Sequence, residues 1–253
     1  MLTHRRTLFP LLAMHVLLIS GALFGVIAWW PAIALLLAHG TLLAYASLSP
    51  GLGFFVPIRG RGRDGTLALT YDDGPDPAHT GPLLDLLQRE GVKAAFFCIG
   101  SRVEAHPELV RRMVHEGHLV GGHTQDHPWN WGFLSEHRAV EQILRCVDTI
   151  EKASGMRTTW FRPPFGVTSP TVAAAIRSTG MTTVGWDVRS YDTTYRTVAG
   201  QMKWLFDTRP KGTIAVLHDR MPTAVETTKA IIEKCRSLHV PLVRVDESLG
   251  RTN

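Results

Sequence analysis

The chain has 253 residues, 45% of them hydrophobic, with 27 Lys and Arg against 22 Asp and Glu. That composition supplies one large core plus an appendage. The basic residues are not gathered into a block of the kind that binds nucleic acid, so membrane lipid is the anionic partner expected. Cys98, Cys146 and Cys235 are too few and too scattered for a disulfide framework or a cysteine-rich zinc site, and their apolar or helical surroundings predict buried thiols.

From Thr7 to Ile58 there is no Asp, Glu, Lys or Arg. Leu8 to Trp30 is long enough to cross a hydrocarbon layer that takes roughly 20 residues, and Ala32 to Leu48 is at the short end of that range. Pro31 divides the two runs, and Trp29 and Trp30 before it suit an interfacial turn. A helical hairpin over 8–30 and 32–48 is therefore expected, with His15 and His39 as tolerated polar residues. A signal peptide is the competing reading of the first run, given its basic head. Against it stand the length of the run, the lack of a clear cleavage site and the second apolar run that follows. Arg5 and Arg6 precede the hairpin and Arg59, Arg61 and Arg63 follow it, which favours the cytoplasmic side for both ends. Residues 1–63 thus read as membrane anchor and basic linker, and residues 64–253 as a separate domain.

Beyond Arg63 short apolar runs alternate with amphipathic stretches. The pattern predicts strands at Thr66–Tyr71, Lys93–Ile99, His118–Gly122, Thr159–Arg162, Thr182–Asp187, Thr213–His218 and Leu242–Val245. Helices fit between them at Gly81–Glu90, Arg102–Glu116, Ser135–Ala153, Ser169–Ser178, Val198–Asp207 and Ala224–Leu238, with glycines placed to end several of them. Strands joined by helices give an α/β architecture, either an open sheet or a barrel, and this length suits seven units better than eight.

Charged residues recur where the strands end. The first strand stops on Asp72-Asp73-Gly74-Pro75, the third runs into His123-Thr124-Gln125-Asp126-His127, the fourth into Arg162-Pro163-Pro164-Phe165-Gly166 and the sixth into His218-Asp219. In a parallel sheet these groups converge on one mouth. Two adjacent carboxylates repel unless a positive group lies between them, so a metal, an arginine or a shared proton is implied. His123 and His127 are four apart, so a helical turn would aim both imidazoles the same way. One carboxylate completes a two-histidine, one-carboxylate set suited to zinc, iron or cobalt. The other carboxylate is left to act as a base and a histidine across the pocket as an acid, which together describe metal-assisted hydrolysis.

The four motifs resemble, in order, the first, second, third and fifth motifs of the NodB-like polysaccharide deacetylases, the fourth family of carbohydrate esterases. The resemblance covers about Thr66 to the C-terminus and implies a distorted (β/α)7 barrel. It also implies a role for each matched position. Asp72 would be the catalytic base, Asp73, His123 and His127 the ligands of one divalent metal, Arg162 the partner of the base, His218 the general acid and the Phe165 backbone N–H the oxyanion donor. Zinc is the metal expected, with Co2+, Fe2+, Ni2+ or Mn2+ as alternatives.

The fourth motif departs from the family pattern. Arg189 stands where an acidic partner of the catalytic histidine is expected, and Thr193 where a pocket tryptophan is expected. Asp192, Asp187 or Asp219 are candidates to replace the carboxylate, and Tyr191, Trp186, Trp129 or Trp131 to replace the sugar-stacking surface. The activity implied is removal of an N-acyl group, N-acetyl above all, from an amino sugar in a glycan or glycolipid. The alternatives are a deformylase or deacetylase acting on a lipid-linked sugar at the membrane, favoured by the hairpin and arginine cluster, and a non-catalytic sugar-binding membrane protein.

Overall fold

A computed structural model describes residues 3–195, 197–207 and 213–250. Seven parallel strands form one sheet, β1 (Ala68–Asp72), β2 (Ala95–Cys98), β3 (Leu119–Gly122), β4 (Trp160–Phe161), β5 (Thr182–Thr183), β6 (Val188–Arg189) and β7 (Ile214–His218). Their order is β5-β4-β3-β2-β1-β7-β6, with no pairing between β5 and β6. The sheet is therefore a half-barrel, the distorted (β/α)7 architecture expected, with β1 inside it between β2 and β7.

Helices cover the outside: α3 (Thr80–Arg89), α4 (Gly100–Ala105), α5 (Pro107–His115), α6 (Glu136–Ser154), α7 (Pro170–Thr179), α8 (Val198–Met202), α9 (Ala224–Ser237) and α10 (Val245–Ser248), numbered after the two N-terminal helices α1 (His4–Leu23) and α2 (Trp30–Leu48). Local chemistry sets their ends. Ser135 and Ser169 cap α6 and α7 by accepting from the Arg138 and Val172 backbone N–H groups, and Gly155 and Gly180 close them in the left-handed region at φ 74° and 69°.

The two faces of β1 have different partners, as a period of two requires. Leu69 and Tyr71 point to the helical layer and pack with Leu83, Leu84 and Leu87 of α3 and Ile231 of α9. Ala68 points inward to Ala95, Phe97, Leu119, Trp160 and Ile214. Thr70 and Asp72 share that inner side, which is where the site is built. All three cysteines are buried.

Four expected elements differ. The stretch Arg102–Glu116 is two helices, because Pro107 has no N–H to continue the first and instead starts the second. The expected strand Thr182–Asp187 pairs with β4 only at Thr182–Thr183, Val184 makes a single bridge to Arg59, and a second short strand at Val188–Arg189 joins the other edge of the sheet beside β7. Leu242–Val245 makes a single bridge, Leu67 to Leu242, before α10 begins. A stretch this short, with Arg244 inside it, fits a strand or a helical turn equally well by pattern. The expected helix Val198–Asp207 continues beyond α8 as a π-helical turn over Lys203–Asp207.

Helices α1 and α2 form an antiparallel pair, each long and apolar enough to cross a membrane by length and composition. Only 6% and 11% of their apolar windows are buried, and Phe9, Leu17, Trp30 and Leu36 lie bare. His15 and His39 meet across the pair at 3.1 Å. The end of α2 is fixed to the sheet domain: Ala46 joins a core cluster with Phe54, Phe55, Phe161 and Val172, and the Thr168 N–H donates to the Ser47 carbonyl at 3.1 Å.

Candidate active site

Asp72 is the last residue of β1 and points inward, where Arg162 lies wholly buried at the end of β4. Arg162 donates to Asp72 Oδ1 at 2.7 Å and Thr70 Oγ1 at 2.8 Å, and its other donors reach the Val184 and Gly185 carbonyls at 3.2 and 2.8 Å. Its guanidinium lies 4.2 Å from the centre of the Phe97 ring. This cation serves Asp72 alone of the two adjacent aspartates, leaving Asp72 Oδ2 directed at the cleft.

Strand alternation would send Asp73 to the opposite face. A left-handed backbone at Asp73, φ 72°, breaks the period and returns its side chain to the same cleft. Asp73 Oδ1 lies 3.6 Å from His123 Nε2 and 3.5 Å from His127 Nε2, while its Oδ2 accepts from Arg220 Nε at 3.0 Å. One oxygen is held by the arginine and the other faces both imidazoles.

The two histidines do not sit on a helical turn. Thr124 and His127 are both left-handed, at φ 69° and 47°, and Thr124 Oγ1 accepts the His127 N–H at 3.1 Å. This tight loop, rather than α-helical spacing, brings the rings to 4.9 Å. His123 Nδ1 donates to the Arg162 carbonyl at 2.7 Å, which leaves Nε2 to face the cleft. Burial and the neighbouring His123 lower the His127 pKa to about 4, which favours its neutral ring. Burial would raise the Asp73 pKa, but the positive charge that His123, His218 and His127 carry when protonated, together with the Arg220 hydrogen bond, outweighs it and brings the carboxyl to about 2.

Three acceptors therefore face one another at separations too long for hydrogen bonds, all within 4.8 Å. Such a set could hold a metal ion at its centre. Ligands about 2.0–2.1 Å from a tetrahedral zinc lie about 3.4 Å apart, close to the two observed separations, so the residues fit a divalent metal with open positions.

His218 ends β7 on the other side of the cleft. Its Nδ1 donates to Asp192 Oδ1 at 2.8 Å and its backbone N–H to Asp192 Oδ2 at 2.7 Å. Burial lowers the imidazole pKa, yet Asp192 and the charges of Asp72 and Asp73 outweigh it, and the net shift is upward. The carboxylate displaced by Arg189 is thus supplied by Asp192. Asp187 is engaged elsewhere, accepting from the Thr213 and Ile214 N–H groups, and Asp219 lies buried beneath Gly74 with Thr80 as its donor at 2.6 Å.

Phe165, left-handed at φ 58°, has an N–H with no hydrogen-bond acceptor among the described residues, and its ring meets His127 edge-on at 4.7 Å. A cleft of about 610 Å³ gathers Asp72, Asp73, His123, His127, Phe165 and His218, with Thr193 on its wall. Tyr191 lies outside it, in a second cleft of about 1150 Å³ that shares Phe165, Trp186 and Arg189 with the first. Trp131 is fully buried, donating to the Val167 carbonyl, and so offers no sugar platform, and Trp129, although exposed, lines neither cleft. Arg220 was not legible as a site residue. Its only sequence signal is its place two residues after His218 at a strand end.

The profile of the polysaccharide deacetylase family matches residues 59–184. A chitooligosaccharide deacetylase of Sinorhizobium fredii is 32% identical over 168 residues, covering 66% of this chain and 77% of that protein. The solved structure of the peptidoglycan deacetylase PdaC of Bacillus subtilis is 36% identical and superposes with a TM-score of 0.65 over 72% of this chain and 88% of that one. This chain belongs to the polysaccharide deacetylase family. The peptidoglycan-N-acetylglucosamine deacetylase PgdA of Listeria monocytogenes is 35% identical over 184 residues, covering 73% of this chain and 39% of that protein. The chain thus spans about two fifths of the length of that family member. The family fold places the Asp73, His123 and His127 cluster at the mouth of the half-barrel.

Proposed function

We propose that the protein is a metal-dependent hydrolase that removes the N-acetyl group from an amino sugar. Activities named for family members, on peptidoglycan N-acetylglucosamine and on chitooligosaccharides, support this reaction class. The observation that carries it is the division of labour around one acceptor cluster: Asp72 braced by Arg162 on one side, His218 braced by Asp192 on the other.

Asp73, His123 and His127 would hold a divalent metal, which would supply Lewis-acid polarisation and make a water more acidic. Arg162 fixes Asp72 Oδ1, so Oδ2 takes the proton of the attacking water. The Phe165 N–H offers a donor to the amide oxygen as negative charge develops there. Asp192 holds the His218 ring with Nδ1–H towards itself, which leaves Nε2–H to protonate the departing nitrogen as the C–N bond breaks. Acetate and the free amine are the products.

The second element of the proposal is a membrane location. The bare apolar surface of α1 and α2 is unsuited to water, and their length suits a bilayer. With arginines at both ends of the hairpin, the catalytic domain lies on the cytoplasmic face. Residues 1–63 then serve as anchor and linker and 64–253 as the catalytic domain. The reaction is tested by acetate release from chitooligosaccharides by the zinc- or cobalt-loaded full chain; absence of release with every metal and oligomer tried overturns it. Reporter fusions at the C-terminus test the orientation, and a periplasmic signal reverses it.

A further inference from the structure

The larger cleft is unlike a surface for a neutral sugar chain. Its wall includes the segment Arg59-Gly60-Arg61-Gly62-Arg63 and, on the neighbouring segment, Arg189. A parallel bridge from Arg59 to Val184 starts the segment in extended form. Alternation then puts the three arginines on one side and the two glycines on the other. The glycines face the domain: a Cβ on Gly62 would lie 2.0 Å from Ser248 Oγ, and one on Gly60 would lie 3.5 Å from the Trp186 carbonyl oxygen. The arginines face the cleft.

The charges there are not cancelled. Asp187 and Glu247 are the acidic residues on the wall, and Asp187 is taken up by the Thr213 and Ile214 N–H groups and by Arg61 at 3.3 Å. Arg61 also pairs with Asp64 at 2.6 Å. Arg59, Arg63 and Arg189 have no carboxylate within ion-pair distance among the described residues, and all three are exposed. The Arg189 guanidinium lies 5.2 Å from the Trp186 ring centre and 5.3 Å from that of Tyr191, so it covers the aromatic faces a neutral sugar would stack on. Guanidinium groups gathered around a cleft are suited to phosphate.

Phe165, Trp186 and Arg189 line both clefts, so the basic cleft opens into the reaction site. Leu48, the last residue of α2, and Gly51, just beyond it, also line the basic cleft. Leu36, Leu37, Tyr45 and Leu48 of α2 are exposed and apolar. An apolar tail, a phosphate group and an amino sugar each have a matching surface around this cleft: the bare face of α2, the arginines and the reaction site.

Building on the deacetylase reading, we propose that the substrate is a phosphate- or diphosphate-linked N-acyl amino sugar on a lipid carrier, with its phosphate held by Arg59, Arg63 and Arg189 and its acyl group at the Asp73 cluster.

The test uses the full-length, metal-loaded protein in phosphatidylcholine vesicles. Three substrates are compared by amine release: N-acetylglucosaminyl diphosphoprenol, the water-soluble uridine diphosphate sugar, and neutral chitotetraose. The lipid-linked substrate is expected to have a kcat/KM roughly tenfold or more above both others, falling as salt is raised. In the R59Q/R63Q variant the preference for it over chitotetraose falls by roughly tenfold or more, and the salt dependence flattens. Equal use of lipid-linked and soluble sugar diphosphates overturns the lipid carrier. Equal or better use of chitotetraose, or an unchanged preference in R59Q/R63Q, overturns the phosphate site while leaving the deacetylase reading intact. Binding of farnesyl diphosphate is measured in parallel and does not depend on turnover. Weaker binding to R59Q/R63Q supports the site and equal binding overturns it, even if no substrate is hydrolysed and the deacetylase reading falls.

Discussion

Replacing Asp192 by Asn tests the acid half of the mechanism most sharply, because both carboxylate oxygens of Asp192 are used by His218, one by Nδ1–H and one by the backbone N–H. An Asn of the same shape keeps the acceptor for the backbone N–H. Its NH2 group then faces Nδ1, where it opposes the imidazolium and favours the neutral ring with its proton on Nε2. A charge-assisted hydrogen bond of this kind is worth about 1.5–3 kcal/mol. At about 1.36 kcal/mol per pH unit, the basic limb of kcat/KM moves down by about 1–2 units, and acetate release at pH 8 falls about 10- to 100-fold. Stability gives an independent reading. The folded-state pKa of His218 is raised, so the stabilisation from Asp192 is fully present below the ordinary histidine pKa and is lost as pH rises through the raised value. The melting-temperature deficit of D192N is accordingly larger at pH 6 than at pH 9. A basic limb at the same pH in both proteins refutes the assignment of His218 and Asp192.

Arg162→Ala leaves Asp72 buried without its cation and strands the Val184 and Gly185 carbonyls. A loss of about 3–5 kcal/mol in denaturant unfolding is expected, along with loss of acetate release. Arg162→Lys lacks the fork needed for both roles and recovers little of either. Burial raises the Asp219 pKa to about 7, with the Thr80 hydroxyl opposing. Ionising this group therefore costs stability between the ordinary carboxylate range and about pH 7. Asp219→Asn should gain on the parent protein across that interval, by at most about 4 kcal/mol, as read from melting temperature against pH. Removing the metal with a chelator should leave the sheet folded but lower the melting temperature, and zinc or cobalt should restore it.

Much of the barrel was legible because apolar runs that stop on charged residues are what buried parallel strands look like. The positions named at those strand ends, Asp72, Asp73, His123, His127, Arg162, Phe165 and His218, come together around one cleft, with Tyr191 just beyond it. The backbone conformations that join them were not legible. Side-chain alternation alone would separate Asp72 from Asp73, and only the left-handed turn at Asp73 reunites them. The four-residue spacing of His123 and His127 suggested a helix, yet left-handed Thr124 and His127 achieve the same convergence in a loop. Arg189 suggested that the acidic partner of His218 was lost. Position in the motif is not position in space, and Asp192 reaches the ring from three residues further on. The alternate arginines at 59, 61 and 63 read as a flanking charge cluster, and their shared cleft emerged only once the neighbouring sheet edge was in place.

If Asp73, His123 and His127 hold the metal on which amide hydrolysis depends, metal content and acetate release should rise and fall together in the parent protein, Asp73→Ala and His127→Ala. The parent is expected to carry about one equivalent of divalent metal and to turn over only with it, and each variant whose circular dichroism shows the sheet retained is expected to lose both. Full activity in either metal-free variant would rule out this metal-dependent hydrolysis.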